Sequence, residues 1–161
     1  VAPSDNRKRL VGDGSLAGVV RIALCGTYLL QGRYQSEQML AFLLHEEFAK
    51  PKEKIRTERM SRHLYDIGQI METPIAKEAL QDKALYQSVI DHRRTFIGLR
   101  GFDYDTLQPA TLRIVPPENI VEGWEKDYEV MQEIMIYGDS LPFTQLIDKI
   151  RKLNERINRM A

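Results

Sequence analysis

The sequence predicts a mainly α-helical protein, a compact bundle of about six helices built as one domain. After residue 36, apolar side chains recur at the three- and four-residue spacing of helices through most of the chain. Capping residues, glycines and prolines divide these stretches into separate segments. A chain of 161 residues, 43% of them hydrophobic, can bury one core but is short for two domains.

The N-terminal region has a different composition from the rest. Residues 1–15, "VAPSDNRKRLVGDGS", are polar and rich in turn formers, so we expect a disordered or tag-like tail before a single helical domain over residues 16–161. The segments "VVRIAL" and "TYLLQ" flank Gly26 with β-branched and aromatic residues. This pattern allows either a short β-hairpin or a short helix near the N-terminus.

The first long helix is predicted over "EQMLAFLLHEEFA", with Ser36 as its N-cap and an end before Pro51. It is apolar on most sides and should be largely buried. Its apolar residues cover more than the stripe of about 100° that one core contact needs, so we expect surplus apolar surface and a homodimer. These residues are Met39, Leu40, Phe42, Leu43, Leu44 and Phe48.

Three further helices are predicted before residue 97. The second should begin at Thr57 or Glu58 and end before the Thr73-Pro74 pair. A short third helix covers "IAKEAL", and Asp82 should cap a fourth that reaches Phe96 and buries it.

The C-terminal third predicts two more helices after a long connection in which "TLRIV" is expected to be extended. The fifth helix should carry a core stripe that includes Met135 and should end at Gly138. Asp139 or Ser140 is expected to cap the last helix. Its predicted inward residues are Phe143, Leu146, Ile147, Ile150, Leu153 and Ile157, and its predicted outward residues are Arg151, Lys152, Arg156 and Arg159.

Charge and cysteine content exclude some classes of function. The 23 basic and 23 acidic residues cancel, so no global field indicates binding to nucleic acid or to an anionic membrane. The single cysteine, Cys25, cannot form an internal disulfide and favours a reducing compartment. Arg21 interrupts the apolar run near it, which is too short for a membrane span. We therefore expect a cytoplasmic protein that does not bind membranes.

A polar stripe on the second predicted helix is the main candidate site. Arg59, Arg62, His63 and Asp66 follow the i, i+3, i+4, i+7 spacing of one helical face. Guanidinium groups beside a carboxylate suit phosphate binding, with the aspartate holding a divalent metal or accepting a proton. The alternative is a solvated face on which Arg62 and Asp66 form a pair worth about 0.3 kcal/mol.

Two other polar groups have simpler interpretations. His45 lies beside two glutamates, but no second histidine follows at i+4 and no cysteine pair supports zinc, so a hydrogen-bonded histidine is the favoured interpretation. Asp103-Tyr104-Asp105 has the spacing of a metal site, yet it lies between glycines and a proline and predicts a turn. We expect no protein metal site.

A series of short segments resembles a known family. The runs "LLHEEFAKPKEKIRTERMSRHLYDI", "TPIAKEAL", "LYQSVIDHRRTF", "FDYDTLQP", "VPPENIVEGWEKDY" and "MQEIMIYGDSLPF" occur in the order of the C-terminal part of the AbiEii/AbiGii nucleotidyltransferase-like toxins. The resemblance covers about residues 36–155. It implies the helical half of a two-part toxin from toxin–antitoxin or abortive-infection systems, whose members transfer nucleotides with a divalent metal.

The family's catalytic motifs are only partly matched. Asp66 in "SRHLYD" corresponds to the last motif, with Arg62 and His63 in the matching context. The family's Glu-Lys pair, whose lysine would contact nucleotide phosphates, is here Glu37-Gln38. The metal-holding Asp-x-Asp that would follow a Gly-Gly or Gly-Ser turn has no counterpart after residues 14–15.

These differences imply a chain that is not catalytic by itself. Nucleotide transfer needs carboxylates to hold the metal and a cation to bind the triphosphate. We therefore expect an interaction module or truncated remnant, which forms a homodimer or binds a toxin or antitoxin partner. No cofactor is expected; Mg²⁺ and a nucleoside triphosphate would be needed only if activity is retained.

Two alternatives stay open. One is a small HEPN-like ribonuclease, because Arg56 and His63 are separated by six residues, at the edge of the spacing in that class. The other is a nucleotidyltransferase that a partner chain completes.

Overall fold

The structure, a computed structural model, describes residues 35–71, 73–74 and 81–160. Five α-helices are present there, and no strand occurs within those ranges, so the prediction of a mainly α fold is confirmed. The predicted N-terminal tail and hairpin and the predicted "IAKEAL" helix lie outside the described residues. The helices are α1 (Gln35–Phe48), α2 (Ser61–Ile70), α3 (Lys83–His92), α4 (Val121–Ile134) and α5 (Phe143–Asn158).

The helix α2 is at the centre of the bundle and packs against α1, α4 and α5, while α3 packs against α1. Its apolar residues Met60, Leu64, Ile67 and Met71 are all buried, as the spacing predicts. Gly68 allows α5 to approach closely, because a Cβ atom added there would lie 2.8 Å from the Leu146 side chain. The polar residues of α2 are therefore held by packing on three sides.

The apolar side chains of α1 are covered by the rest of the bundle. Leu40, Phe42 and Leu44 are buried in the core, and the other three apolar residues pack against it. The Phe42 ring meets Tyr86 edge-on with centroids 5.1 Å apart, and Phe48 lies 5.0 Å from Trp124. The prediction of surplus apolar surface on α1 is therefore wrong. The homodimer, which was predicted from that surface, is no longer supported by it.

The start of α3 is confirmed, but its end is not. The Asp82 side chain accepts a hydrogen bond of 2.9 Å from the Leu85 N–H, as expected of an N-cap. After α3, one π-helical turn follows over Arg93–Ile97 and ends at Gly98, whose φ is 54°. The wider turn shifts the helical register, and Phe96, which we expected to be buried, is 71% exposed.

The connection before α4 is held by short helical turns and side chains. Single 3₁₀ turns lie at Lys52–Lys54, Tyr104–Leu107, Pro109–Thr111 and Glu118–Ile120. The "TLRIV" segment forms no strand, although Leu112 has extended backbone angles. Instead, Asn154 of α5 donates a 3.0 Å hydrogen bond to the Leu112 carbonyl and accepts one of 2.7 Å from the Ile114 N–H. An amide side chain thus takes the place of a neighbouring strand.

The last two helices have different ends from those predicted. The helix α4 stops at Ile134, four residues before Gly138, and Met135 is 57% exposed rather than in the core. The helix α5 starts at Phe143 after Pro142, so neither Asp139 nor Ser140 caps it. Its predicted apolar stripe is fully buried and its predicted basic residues are exposed, which confirms the orientation of α5.

Over the ranges that the structure describes, no helix combines the length and the apolar character that crossing a bilayer requires.

Candidate functional site

The predicted polar stripe does not form one helical face. The helix α2 begins at Ser61, so Arg59 lies in the turn before it, in the left-handed conformation with φ at 59°. The Asp127 carboxylate of α4 accepts hydrogen bonds from the Arg59 N–H at 2.6 Å, the Ser61 N–H at 2.9 Å and the Ser61 hydroxyl at 2.5 Å. Asp127 therefore fixes the start of α2 at a later residue than the predicted Thr57 or Glu58.

His63 lies inside the protein rather than on a solvent-exposed face of α2. It is 7% exposed, and its Nδ1 atom is buried without a hydrogen-bond partner. Burial first, and then the charges of Arg62 and Arg56, lower the pKa of His63 to about 4, against an opposing effect of Glu47. The imidazole is therefore neutral at pH 7, and its burial leaves little surface for contact with a substrate.

A buried carboxylate beside His63 organises the connection between α1 and α2. Glu47 accepts hydrogen bonds from the Arg56 N–H at 2.8 Å, from Arg56 Nε at 3.1 Å and from Arg56 Nη2 at 2.8 Å. Lys50 Nζ donates another at 2.6 Å. Burial raises the pKa of Glu47, but these donors outweigh it and the net shift is downward. Glu47 and Arg56 thus hold the chain between the two helices in place.

Asp66 and Arg62 lie on the outer side of α2 without forming an ion pair. Asp66 is half-buried and Arg62 is exposed. Burial raises the pKa of Asp66 to about 6, although the Arg62 charge opposes the shift. Of the four residues of the predicted stripe, only Arg62, His63 and Asp66 lie on α2. Arg62 is exposed, Asp66 is half-buried and His63 is buried.

The residues present do not fit the metal and nucleotide site that the resemblance implies. Within the described ranges, no three His, Cys, Asp or Glu residues lie close enough together to hold a metal ion, so Asp66 has no companion ligands there. Gln38, at the family's lysine position, is 2% exposed and packs inside the bundle. The side chain of Glu37 is outside the described part of the protein.

His45 has a structural role, as predicted for a hydrogen-bonded histidine. Its Nδ1 atom accepts a 2.9 Å hydrogen bond from the Arg113 N–H, so the proton is on Nε2, which lies 3.1 Å from the Thr106 hydroxyl. Burial, and secondarily the Arg113 charge, lowers the pKa of His45 to about 4. Asp103 caps the turn Tyr104–Leu107 by accepting from the Asp105 N–H, which confirms the predicted turn.

Acidification is expected to destabilise the protein between pH 6.5 and 4. In this range the unfolded chain protonates His45 and His63 while the folded chain does not, so stability falls as the pH falls. Each lowered pKa corresponds to a loss of about 3 kcal/mol. Asp66 acts in the opposite sense, because the folded state binds its proton more tightly between pH 3.8 and 6. Urea denaturation at a series of pH values measures the net slope.

Two variants separate these contributions. His63→Leu should make the acid loss shallower, because it removes one buried neutral imidazole, whereas Asp66→Asn should make the loss steeper, because it removes the opposing carboxyl group. Equal slopes in the wild type and both variants would show that neither group contributes.

A cluster of exposed apolar residues at the end of α4 is the second candidate. We call Val130, Ile134, Met135, Tyr137 and Leu141 the 130–141 surface. Ile134 is 68% exposed and Tyr137 is 98% exposed. Val130 and Ile134 are one helical turn apart, so their side chains are neighbours on the exposed side of α4. Large apolar residues grouped in this way are typical of interaction sites.

The loop that carries half of this surface is anchored to α4. The Tyr128 hydroxyl donates a 2.9 Å hydrogen bond to the Leu141 carbonyl, and Gln132 Nε2 donates to the Ser140 hydroxyl at 2.7 Å. Gly138, with φ at 99°, makes the turn between them. A surface held in position before binding loses less conformational entropy when a partner binds.

Sequence reasoning missed the structural roles of Glu47 and Asp127, and it missed the 130–141 surface. Asp127 acts through contacts with a distant part of the chain, and Glu47 binds Arg56 across the connection between α1 and α2, so helical spacing predicts neither role. The run "EIMIYG" did carry a signal for the surface, since it places four apolar residues in a row where one helical stripe can bury only some of them.

Comparisons of the chain with protein-family models, with curated proteins and with solved structures found no match.

Proposed function

We propose that this chain is a non-catalytic helical module that binds a partner protein through the 130–141 surface. The observation that carries the proposal is the exposure of five large apolar side chains at the end of α4 and in the loop after it. Three other large apolar residues, Phe96, Ile97 and Leu99, are exposed after α3. The resemblance of residues 36–155 to the helical half of AbiEii/AbiGii toxins agrees with this role and suggests a toxin or antitoxin as the partner. A cytoplasmic location remains part of the proposal.

The contacts around α2 support the non-catalytic part of the proposal. Two residues of the predicted sites contribute to the fold: the Arg56 side chain donates to Glu47, and the Arg59 N–H donates to Asp127. The ribonuclease alternative requires an accessible histidine near Arg56, whereas His63 is buried with a lowered pKa. We therefore favour partner binding over catalysis by this chain.

The partner-binding proposal is tested by capture on the immobilised protein. We expect that a specific protein from the source cells is retained by the wild type and lost by the double variant Ile134→Ser, Tyr137→Ser. Phe96→Ser is the matched control, since it removes an exposed apolar side chain from the π-helical turn instead. Equal capture by the wild type and the double variant would reject the surface.

The absence of catalysis needs a separate assay. The isolated chain should transfer no label from nucleoside triphosphates, with Mg²⁺ or Mn²⁺, to tRNA or protein acceptors. Transfer that Asp66→Ala abolishes would overturn the proposal, and transfer that arises only with the captured protein present would favour an enzyme completed by a partner. RNA cleavage abolished by His63→Ala would favour the ribonuclease.

A further inference from the structure

The 130–141 surface lies beside a concentration of negative charge. Between residues 121 and 142 the chain has six acidic residues and one lysine. That lysine, Lys126, is already paired with Glu122 at 2.6 Å. Glu129 and Glu133 are exposed on α4 next to Val130 and Ile134. The Lys126 charge also acts on Glu129, but the segment as a whole keeps an excess of negative charge.

From this arrangement we infer that the partner's binding element is a basic amphipathic helix, with apolar residues on one side and Lys or Arg beside them. The inference rests on the proposed partner-binding function and specifies its partner. Apolar anchors of such a helix would cover Val130, Ile134 and Tyr137, and its cations would face Glu129 and Glu133. The apolar contacts and the charge attraction act together only if one helix of the partner carries both the apolar residues and the cations.

The same charges argue against a second copy of this chain as the occupant. A two-fold dimer through the surface places the patch against itself and brings Glu129 and Glu133 of both copies into one interface. Like charges juxtaposed in this way oppose association. The basic side of α5 in a second copy could pair with these glutamates, but it offers no apolar residues to the 130–141 surface, because the apolar residues of α5 face the core.

Synthetic peptides test the inference with the intact chain. The probe is a helical peptide of leucine and lysine with one apolar face, and its twin has glutamate in place of every lysine. We expect the lysine peptide to bind about tenfold or more tightly than its twin in isothermal titration calorimetry, and added salt to reduce the difference. A scrambled lysine peptide of equal composition, without an apolar face, should bind weakly.

Variants of the protein locate the binding. Glu129→Gln with Glu133→Gln should weaken the lysine peptide about threefold to tenfold, since two charge contacts are lost. Glu53→Gln with Glu118→Gln removes two exposed carboxylates elsewhere and should change nothing. Ile134→Ser with Tyr137→Ser should abolish binding of the lysine peptide.

Each contrary result has a distinct meaning. If both peptides bind equally and the serine variant loses both, the basic partner is rejected while the partner-binding function stands. The inference is overturned if the scrambled peptide binds the wild-type protein as tightly as the lysine peptide does. It is also overturned if the serine variant binds the lysine peptide as tightly as the wild type does. In either case charge alone explains the affinity. If neither peptide binds, the inference is also overturned, and the capture experiment decides the proposed function independently.

Discussion

Replacing Arg93 by methionine is expected to lower the free energy of unfolding by about 3 to 5 kcal/mol, the largest single effect that we predict for this protein. Arg93 is 5% exposed, and its Nε donates a 2.7 Å hydrogen bond to Glu46 of α1, whose other oxygen accepts from Arg93 Nη2. Without the guanidinium group, the Glu46 carboxylate is left buried without its partner. Urea denaturation followed by circular dichroism measures the loss.

Two further variants test this explanation. Glu46→Leu combined with Arg93→Met should recover most of the loss, because the pair is then replaced by apolar side chains of similar size. Arg94→Ala breaks the exposed pair with Asp105 and should leave stability close to that of the wild type, because solvent screens an exposed pair. The explanation fails if Arg93→Met costs less than about 1 kcal/mol or if the double variant is no better than the single one.

The second large effect is expected at Asp127. Asp127→Ala should lower the free energy of unfolding by about 2 to 3 kcal/mol, because the start of α2 loses three hydrogen bonds to a carboxylate. The loss also releases the turn at Arg59, where a residue other than glycine holds a positive φ. Thermal denaturation of the variant against the wild type gives the difference.

The neighbouring positions provide the controls. Glu129→Ala removes an exposed carboxylate from the same helix and should change stability by no more than about 0.5 kcal/mol. Arg59→Gly should stabilise the protein by about 1 kcal/mol, since glycine adopts the left-handed conformation without strain. Equal losses in Asp127→Ala and Glu129→Ala, or a destabilised Arg59→Gly, would contradict the capping role.

The helical fold could be predicted because its signals are local. The cap at Asp82 lies three residues from the N–H that it accepts from, and the buried stripe of α5 repeats within one helix. The starts of α2 and α5 were predicted too early. The start of α2 is fixed by Asp127, which lies on α4. The residues before α5 form a loop that is bonded to Gln132, and α5 therefore begins only at Phe143.

The candidate site was less predictable than the fold. The predicted face joined Arg59 and Asp66 on the assumption that one helix contains both residues. Arg59 is in the left-handed conformation and lies before the helix, so the assumption is wrong. Spacing also cannot distinguish a buried polar residue from an exposed one, and His63 is buried where α2 packs among the other helices. Met135 continues the stripe of α4 by periodicity but follows the helix end and is exposed.

The most direct test of the central claim compares the two candidate sites in one binding measurement. Isothermal titration calorimetry with the purified captured partner should show about a hundredfold weaker binding for Ile134→Ser with Tyr137→Ser, as expected when interface anchors are removed. Arg62→Ala and Asp66→Ala on α2 should bind like the wild type. Unchanged binding in the serine variant together with loss in Asp66→Ala would contradict the account and place the function at α2.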